Sequence, residues 1–474
     1  MRTTKATFAI LMCLSGAFAV SAHAADYYVS PTGTAAWADC SGATPLNETD
    51  ACSWQTGMAN VAAGDTVYFR GGVYEPGEGR PFDEPAMHPV RSGTAANPIV
   101  LKAYPGETPV IHEAYRPGAV APASNTDPAL GCYRNSYVTW DGFTLVRNLD
   151  NGYQASAIVR FELSDHCTIT NSDLIGRPHM DQYNGSLIHI VQSRFITIAN
   201  NKLHGMSRDP NAVATTVNTS AIWSFDFEHV NIFNNDFYDN YGNISTKVGT
   251  SFLNIHHNHI WNCGSAAVRA IPQTAGTTDI LIYQNVIRDC PLVLDSPDPT
   301  ELLYNVRVYN NTVYNAGSGT LAVIGNPRYQ WHRNAEVFNN ILSNRGGGNP
   351  LLVRYFNSPT PEQMPTYADN NNFHGAGHWN LNYQTDYTTL AAWRAALGAD
   401  LNSITSDPQF VTAGGLNPQD YKLEANSPAR TAGRGGAYAT VIGAYITGNE
   451  VIGYSPSYVA DTTPPAAPSN LTVQ

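Results

Sequence analysis

A short pattern that recurs six times between residues 196 and 340 constrains the fold more than any other feature of the sequence. Each copy alternates apolar with other residues and ends on an asparagine, and an apolar residue follows two positions later. The asparagines that end the copies are Asn201, Asn235, Asn258, Asn285, Asn311 and Asn340. Such spacing, with period-two alternation and no helical periodicity, indicates a solenoid with one coil per repeat. We therefore predict an all-β chain, a right-handed parallel β-helix with capped ends.

The alternation also predicts which side chains fill the interior. Residues two apart in a strand share a face, and the predicted inward set is Ile196, Ile198, Val230, Ile232, Ile255, Ile282 and Val308. The repeated asparagine falls where the chain must turn, and stacked asparagine side chains can bond to turn backbone groups from coil to coil. The Leu-x-x-Leu-x-Leu consensus of leucine-rich repeats is missing.

The charge balance limits the partners. Only 14% of the 474 residues are charged and the formal net charge is −12, which argues against a nucleic acid partner. An acidic protein can still carry a local basic groove, so an acidic ligand remains possible. Beyond the N terminus no segment approaches the roughly 18 consecutive apolar residues of a membrane helix. We expect a monomer that binds no membrane.

The N terminus has the features of a secretory signal peptide, because Arg2 and Lys5 precede an apolar run that ends in a small-residue cleavage site. We therefore expect the protein to be secreted, to the periplasm or the outside. After cleavage six cysteines remain, an even number for an oxidising compartment. Close spacing predicts a Cys40–Cys52 disulfide. Cys263 and Cys290 are predicted to stack in consecutive coils, as a disulfide or as buried thiols.

Five segments follow from these features. They are the signal peptide 1–24, an N-terminal cap with the first coils 25–130, the central coils 131–375, a C-terminal helix and closing segment 376–458, and a Pro-rich linker 459–474 resembling the start of a fibronectin type III module. The helix is predicted over Thr388 to Leu397, the one convincing amphipathic stretch.

A second short strand in each coil predicts a column of outward side chains. When the strands are aligned by their inward apolar residues, the column is Arg160, His189, Trp223, Lys247, Arg269, Asp295, Ile324 and Arg354. Half of these are Lys or Arg, so the column is a basic stripe on an acidic protein. We favour a functional groove over an ordinary solvated face, because open solenoids bind ligands along such faces.

Lys247 and Arg269 are the candidate catalytic pair, since they lie one coil apart and are predicted to stand side by side. That pairing suits β-elimination from a uronic acid, which removes a weakly acidic proton next to a carboxylate. Arg269 keeps its charge and would neutralise the carboxylate. Lys247, its pKa lowered by the neighbouring cation, would take the proton.

At Ile244-Ser-Thr-Lys247 the sequence resembles polysaccharide lyase family six, which includes chondroitinase B and many alginate lyases. The resemblance implies a right-handed β-helix with a lysine base and an arginine on the adjacent coil. In that family acidic residues before the lysine hold calcium, whereas Asn240 and Gly242 stand near those places here. We therefore assign no metal ligand, and calcium stays a possible cofactor through a loop that contains Asp236, Asp239, Asn240 and Asn243.

The remaining candidates are predicted to bind substrate. Arg160 and Arg354 would serve outer subsites, and Tyr241 could protonate the leaving oxygen. His189 would contact a sugar or, alternatively, act as a second proton-transfer group. Trp223 would stack on a sugar ring, with a structural surface tryptophan as the alternative. Asp295 completes the predicted column. His256, His257 and His259 are predicted to be structural, because alternation splits their directions.

Two other classes of function stay open. A glycoside hydrolase needs two facing carboxylates, for which Asp226 and Asp295 are the candidates. A non-catalytic carbohydrate-binding or adhesive protein would have a groove without a deprotonatable group. Alginate, pectate and glycosaminoglycans all carry carboxylates, so the sequence does not select the polymer.

Overall fold

The chain forms a parallel β-helix built from three long sheets, as a computed structural model shows. The structure describes residues 26–76, 84–113, 128–147, 157–177, 185–207, 219–247, 249, 251–271, 277–294, 303–315, 322–324, 332–344, 352–354, 366–375, 379–381 and 385–456. The predicted signal peptide and the Pro-rich linker lie outside the described residues. Within these ranges no helix is both long and apolar enough to cross a membrane.

Each complete coil contributes one strand to each sheet in the order A, B, C, and the strands of successive coils pair in parallel. Sheet A contains β1 Asp26–Val29, β2 Thr66–Phe69, β4 Ile99–Ala103, β7 Ser136–Asp141, β10 Asp165–Thr170, β13 Arg194–Ala199, β16 Glu228–Phe233, β19 Ser251–His256, β22 Thr277–Tyr283, β25 Leu303–Tyr309, β28 His332–Arg333, β29 Glu336–Phe338 and β32 Tyr367–Asp369. Sheet B contains β3 Gly72–Tyr74, β5 Pro109–His112, β8 Thr144–Val146, β11 Asp173–Ile175, β14 Lys202–His204, β17 Asp236–Tyr238, β20 His259–Trp261, β23 Val286–Arg288, β26 Thr312–Asn315, β30 Ile341–Asn344 and β33 Asn372–His374.

Sheet C carries the predicted basic stripe. Its strands are β6 Leu130–Tyr133, β9 Val159–Glu162, β12 Ser186–Val191, β15 Ser220–Phe225, β18 Gly242–Lys247, β21 Ala266–Ile271, β24 Leu292–Leu294, β27 Ala322–Ile324, β31 Leu352–Arg354, β34 Trp379–Leu381 and β35 Thr385–Tyr387. The final pair, β34 with β35, is antiparallel. All seven side chains predicted to point inward are buried in one continuous apolar core.

The repeated asparagines form the predicted ladder at the turn between sheets A and B. Asn258 shows the pattern: its backbone N–H and its Nδ2 both donate to Oδ1 of Asn285, at 3.0 Å each. Its Nδ2 also donates to the carbonyl of Ile232 at 2.9 Å. The residue before each ladder position has a positive φ, as at His257 with 55°. The tight turn therefore uses a left-handed residue followed by an asparagine whose amide satisfies buried backbone groups.

Helices and disulfides close the ends. Helix α1, Trp54–Asn60, begins at Ser53, whose Oγ accepts from the Thr56 N–H, and packs near the first strands. Helix α2, Leu390–Leu397, confirms the predicted amphipathic helix and buries Trp393 in the solenoid core. The cysteines pair as Cys40–Cys52, Cys132–Cys167 and Cys263–Cys290.

After α2 the chain turns back along the solenoid and covers sheet B. Phe410, Tyr421 and Ile442 pack with Val286, Tyr314 and Ile341 of that sheet in a second apolar cluster. Asparagine side chains from successive coils donate hydrogen bonds to the returning backbone. At one end of the series Asn370 donates to the carbonyl of Ala432, and at the other end Asn200 donates to the carbonyl of Ser455. Arg434 and Tyr438 of this segment also pack against Phe338 on sheet A. For the part of the segment that the structure describes, the hydrogen bonds and ring contacts are with sheets A and B and the turn between them, and not with sheet C.

Candidate functional site

The candidate site lies on the outer face of sheet C, between β9 and β21. Register places Arg160, His189, Trp223, Ser245 and Arg269 in one column across five coils. A second outward column two residues further along contains Glu162, Val191, Phe225 and Lys247. Inward residues alternate with these columns: on β18, Ile244 precedes the first column and Thr246 lies between the two, and both are buried.

The predicted alignment is correct for four members and wrong for Lys247. Lys247 pairs in register with Phe225 and Ile271, and Ser245 occupies the place next to Trp223 and Arg269. An offset of two residues leaves Lys247 on the predicted outer face, because strand side chains alternate with period two. Lys247 and Arg269 are consequently diagonal neighbours on adjacent strands and do not stand side by side.

Lys247 is half-buried and lies on an aromatic surface. Its Nζ is 4.6 Å from the centre of the Trp223 ring, within cation–π range. Burial, and to a lesser degree the positive charge of Arg269, lowers the pKa of Lys247 below its usual value. Both causes favour the neutral amine, the form that can accept a proton. Arg269 is half-buried on the neighbouring coil.

Trp223 is not the exposed platform that the sequence predicted. Its side chain is only 1% exposed, and its ring stacks on Phe225 with centres 5.8 Å apart and planes 14° apart. With Lys247 lying over the ring as well, the indole forms the floor of the groove and has no free face for a sugar. The expectation of ring stacking is wrong for this geometry.

Arg160 and His189 are in the predicted column, but their side chains are buried. Arg160 is 9% exposed, and its Nε donates to Glu162 at 2.7 Å, so its charge is already balanced by a carboxylate. Nη1 of Arg160 lies 3.4 Å from Nδ1 of His189, which is 5% exposed. Their predicted contacts with substrate therefore stay predictions. Glu162 was not predicted, although it lies two residues after Arg160 and so shares its face.

Tyr241 does not reach the chemistry at Lys247. It precedes β18 and Lys247 ends that strand, so the two are separated by six residues, about 20 Å of extended chain. The half-buried Tyr241 ring instead lies against Gly264 of the next coil, where a Cβ would come within 2.8 Å of it. The expectation that Tyr241 protonates the oxygen leaving next to Lys247 is therefore wrong.

The far end of the predicted column departs from the alignment. Arg269 is followed in register by Val293, Val323 and Val353, so Ile324 and Arg354 lie one position beyond that column. Asp295 lies outside the described residues, and the exposed Asp226 lies in the turn after β15. The hypothesis of a glycoside hydrolase that uses Asp226 and Asp295 therefore stays a prediction.

The polar side chains of the loop that precedes Lys247 are engaged in hydrogen bonds within the protein. Oδ1 of Asn240 accepts from the Met206 N–H at 3.0 Å, and its Nδ2 donates to Oδ1 of Asn243 at 2.9 Å. Oδ1 of Asp239 accepts from Asn262, and Oδ1 of Asp236 accepts from the Tyr454 N–H at 3.1 Å. These side chains cap turns and do not converge, which does not fit a calcium site.

The neighbouring histidines belong to two different sheets. His256 ends β19 in sheet A and bonds through Nε2 to Asn231 at 3.0 Å, whereas the buried His259 begins β20 in sheet B beside Asp236. Among the residues that the structure describes, no group of three or more His, Cys, Asp or Glu side chains is arranged to hold a metal ion.

Comparisons with known proteins give one short sequence match and several distant structural neighbours. No family model matches the chain. A curated pectate lyase from Emericella nidulans is 39% identical over 100 residues, which is 21% of this chain and 21% of that protein. The chain thus spans about a fifth of the curated relative that it matches. Such a short match gives no family membership.

Solved structures with similar folds are mostly carbohydrate-active enzymes. Pectate lyase Pel9A is 15% identical, with 89% of this chain and 96% of that chain covered and a TM-score of 0.48. A polysaccharide lyase of family PL6 from Pseudopedobacter saltans is 11% identical, with coverage of 79% and 94% and a TM-score of 0.39. A lacto-N-biosidase from Eubacterium ramulus is 12% identical, with coverage of 81% and 67% and a TM-score of 0.43. At these identities and TM-scores the neighbours carry no functional argument, and function has to be argued from the site.

Proposed function

We propose that the protein is a secreted polysaccharide lyase that cleaves a uronic-acid-containing polymer by β-elimination. One observation carries the proposal: a half-buried lysine on the open face of sheet C, its pKa lowered by burial and by a diagonal arginine. The three disulfides are in keeping with an oxidising compartment. Alginate, pectate and glycosaminoglycans are the candidate polymers.

The reaction needs two groups of the kind that Lys247 and Arg269 provide. The neutral amine of Lys247 takes the proton from C5 of the uronic acid, and the electron pair moves into the adjacent carboxylate as charge builds up there. The guanidinium of Arg269 stabilises that charge because it stays protonated throughout. The C4–O bond then breaks, a C4–C5 double bond forms, and the released oxygen takes a proton from water.

The position of the pair sets the binding direction. The two side chains lie diagonally on adjacent strands of an open sheet, and strands of successive coils are about 4.8 Å apart. A sugar whose carboxylate contacts Arg269 therefore places its C5 proton toward the preceding coil, where Lys247 lies. The polymer would cross the outer face of sheet C, which the C-terminal segment leaves open.

The test is the formation of an unsaturated uronyl product, followed by its ultraviolet absorbance. Purified mature protein would be assayed on alginate, polygalacturonate, chondroitin sulfate and dermatan sulfate, with calcium added or chelated. We expect product from at least one polymer and a loss of about a hundredfold or more in kcat for Lys247→Ala, the usual contribution of a general base.

Lys202→Ala is the matched control for that variant. Lys202 also lies on an aromatic ring, with its Nζ 4.7 Å from the centre of Tyr454, but on sheet B. It should leave the rate unchanged. Release of reducing ends without unsaturated product would show that the protein is a hydrolase and not a lyase. Binding of a polymer without either product would favour a carbohydrate-binding protein.

A further inference from the structure

Two stacked aromatic rings lie on the outer face of sheet C beside the candidate base. Trp223 on β15 and Phe225, two residues later, both belong to the outer face, and their rings are stacked. Phe225 is the register neighbour of Lys247, while Trp223 is its diagonal neighbour on the preceding coil. The amine of Lys247 lies above the indole, 4.6 Å from its ring centre.

Packing from the preceding coils fixes these rings. His189 stands beside Trp223 in register, and its ring meets Phe225 edge-on at 6.3 Å. His189 is in turn held 3.4 Å from the Arg160 guanidinium, which bonds to Glu162. The indole is consequently enclosed on the side away from Lys247, which explains why a large aromatic residue on an outer face is almost fully buried.

Lys247 is thus held between two diagonal neighbours. Trp223 lies on the preceding coil and attracts the ammonium through its ring face. Arg269 lies on the following coil and repels it. A long, flexible lysine side chain has many rotamers, and this arrangement holds its amine over the Trp223 ring, on the side away from Arg269.

We propose that Trp223 is a positioning residue that fixes the amine of Lys247 for proton abstraction and that it does not bind the sugar. The inference rests on the proposed function. It replaces the sugar-stacking role with an action through Lys247. The two roles differ in kinetics, because a sugar contact contributes to substrate binding whereas positioning of the base contributes to the chemical step.

The experiment compares kcat and KM of Trp223→Leu, Trp223→Phe and Trp261→Leu on the polymer that the wild-type protein cleaves. We expect Trp223→Leu to lower kcat by roughly tenfold to a hundredfold, the range for a misplaced catalytic group, with KM within about twofold of wild type. Trp223→Phe keeps a ring face beneath the amine and should recover most of kcat. Trp261, a half-buried tryptophan on sheet B, is the matched control and should change neither constant.

Two results would overturn the proposal. A rise in KM with kcat unchanged would mean that Trp223 contacts the sugar, and unchanged kcat and KM in Trp223→Leu would mean that it has no role. If Trp223→Leu does not fold, as judged by circular dichroism, Trp223→Met, whose unbranched side chain adapts better to an irregular cavity, takes its place with the same expectations.

A readout without substrate separates this inference from the proposed function. Acetic anhydride labels neutral, accessible amines, and mass spectrometry gives the labelling rate of Lys247. Because removal of the ring frees the amine, we expect that rate to change several-fold in Trp223→Leu but not in Trp261→Leu. If the wild-type protein cleaves no polymer and the labelling rate still changes in Trp223→Leu, the lyase function is refuted but the placement of Lys247 by Trp223 is supported. An unchanged labelling rate would refute the placement itself.

Discussion

At the scale of single residues, the electrostatics of the site depend on one pair of cations. Lys247 has a lowered pKa because it is partly buried and because Arg269 lies on the next coil. Lowering the pKa of a lysine raises the fraction of neutral amine at a given pH. The rate of a reaction that uses this amine as a base should therefore rise with pH and level off above the pKa of Lys247.

Arg269→Gln should move that rise to higher pH. Removing the positive charge takes away one of the two causes that lower the pKa of Lys247, so the amine stays protonated to a higher pH. The maximal kcat should also fall, because carboxylate neutralisation is lost. The measurement is kcat against pH for wild type, Arg269→Gln and, as control, Arg288→Gln on sheet B. If kcat of Arg269→Gln rises at the same pH as kcat of the wild-type protein, the electrostatic coupling between Arg269 and Lys247 is contradicted.

His256 provides a second residue-scale prediction, on acid stability. Its ring is stacked between Phe233 and Tyr283, and burial lowers its pKa from 6.5 to about 3. The unfolded chain binds the proton near pH 6.5 and the folded chain resists it, so the free energy of unfolding should fall as pH drops from about 6.5 toward about 3. His256→Phe keeps the stack and lacks this dependence. Urea unfolding across this range measures it, and an equal pH slope in both proteins would refute the assignment.

At the scale of elements, the asparagine ladder holds the turns in register. Each member bonds through its side-chain amide to the next coil and to a carbonyl of the previous one, as Asn285 does with Asn311 and with the carbonyl of Ile255. All of these groups are buried. A buried donor or acceptor that loses its partner costs about 1–3 kcal/mol. The ladder therefore concentrates stability at one turn of every coil.

Asn258→Ala should lower the free energy of unfolding by about 3 kcal/mol, because it leaves the Asn235 N–H and the Ile232 carbonyl without these partners. Asn449→Ala, at an exposed position in the C-terminal segment, should cost under about 0.5 kcal/mol. Urea unfolding followed by circular dichroism compares the two variants. Equal effects would show that the ladder contributes no more than an exposed asparagine.

At the scale of the whole molecule, the chain after α2 divides the solenoid into a covered and an open face. It packs its apolar residues on sheet B and accepts hydrogen bonds from asparagines of the solenoid turns, such as Asn310 to the carbonyl of Val441 at 2.8 Å. The contacts extend back to the coil of Asn200, more than half of the way along the described coils. The segment also reaches sheet A, where Tyr438 packs against Tyr309 and Phe338. Among the described residues none of these contacts is with sheet C, the sheet on which the candidate base lies.

Deletion of residues 399–474 should therefore destabilise the protein strongly. It exposes Val286, Tyr314 and Ile341 on sheet B, an apolar surface that a soluble protein rarely leaves open. We expect a lower Tm and aggregation in size-exclusion chromatography. Deletion of residues 457–474 alone keeps all the contacts described above and should leave the Tm unchanged. A monomeric, equally stable 1–398 chain would contradict this role of the segment.

The sequence by itself determined the solenoid, the inward residues, the asparagine ladder and the outward face that carries Lys247 and Arg269. Those features are local, because alternation and a turn asparagine act the same way in every coil. Only the tertiary structure decided the register across coils. The coils differ in length, and a two-residue offset keeps every side chain on its predicted face, so the alternation could not reveal that Lys247 stands beside Phe225. Burial of Trp223 and the pairing of Arg160 with Glu162 likewise depend on neighbours one or more coils away, which no single strand specifies.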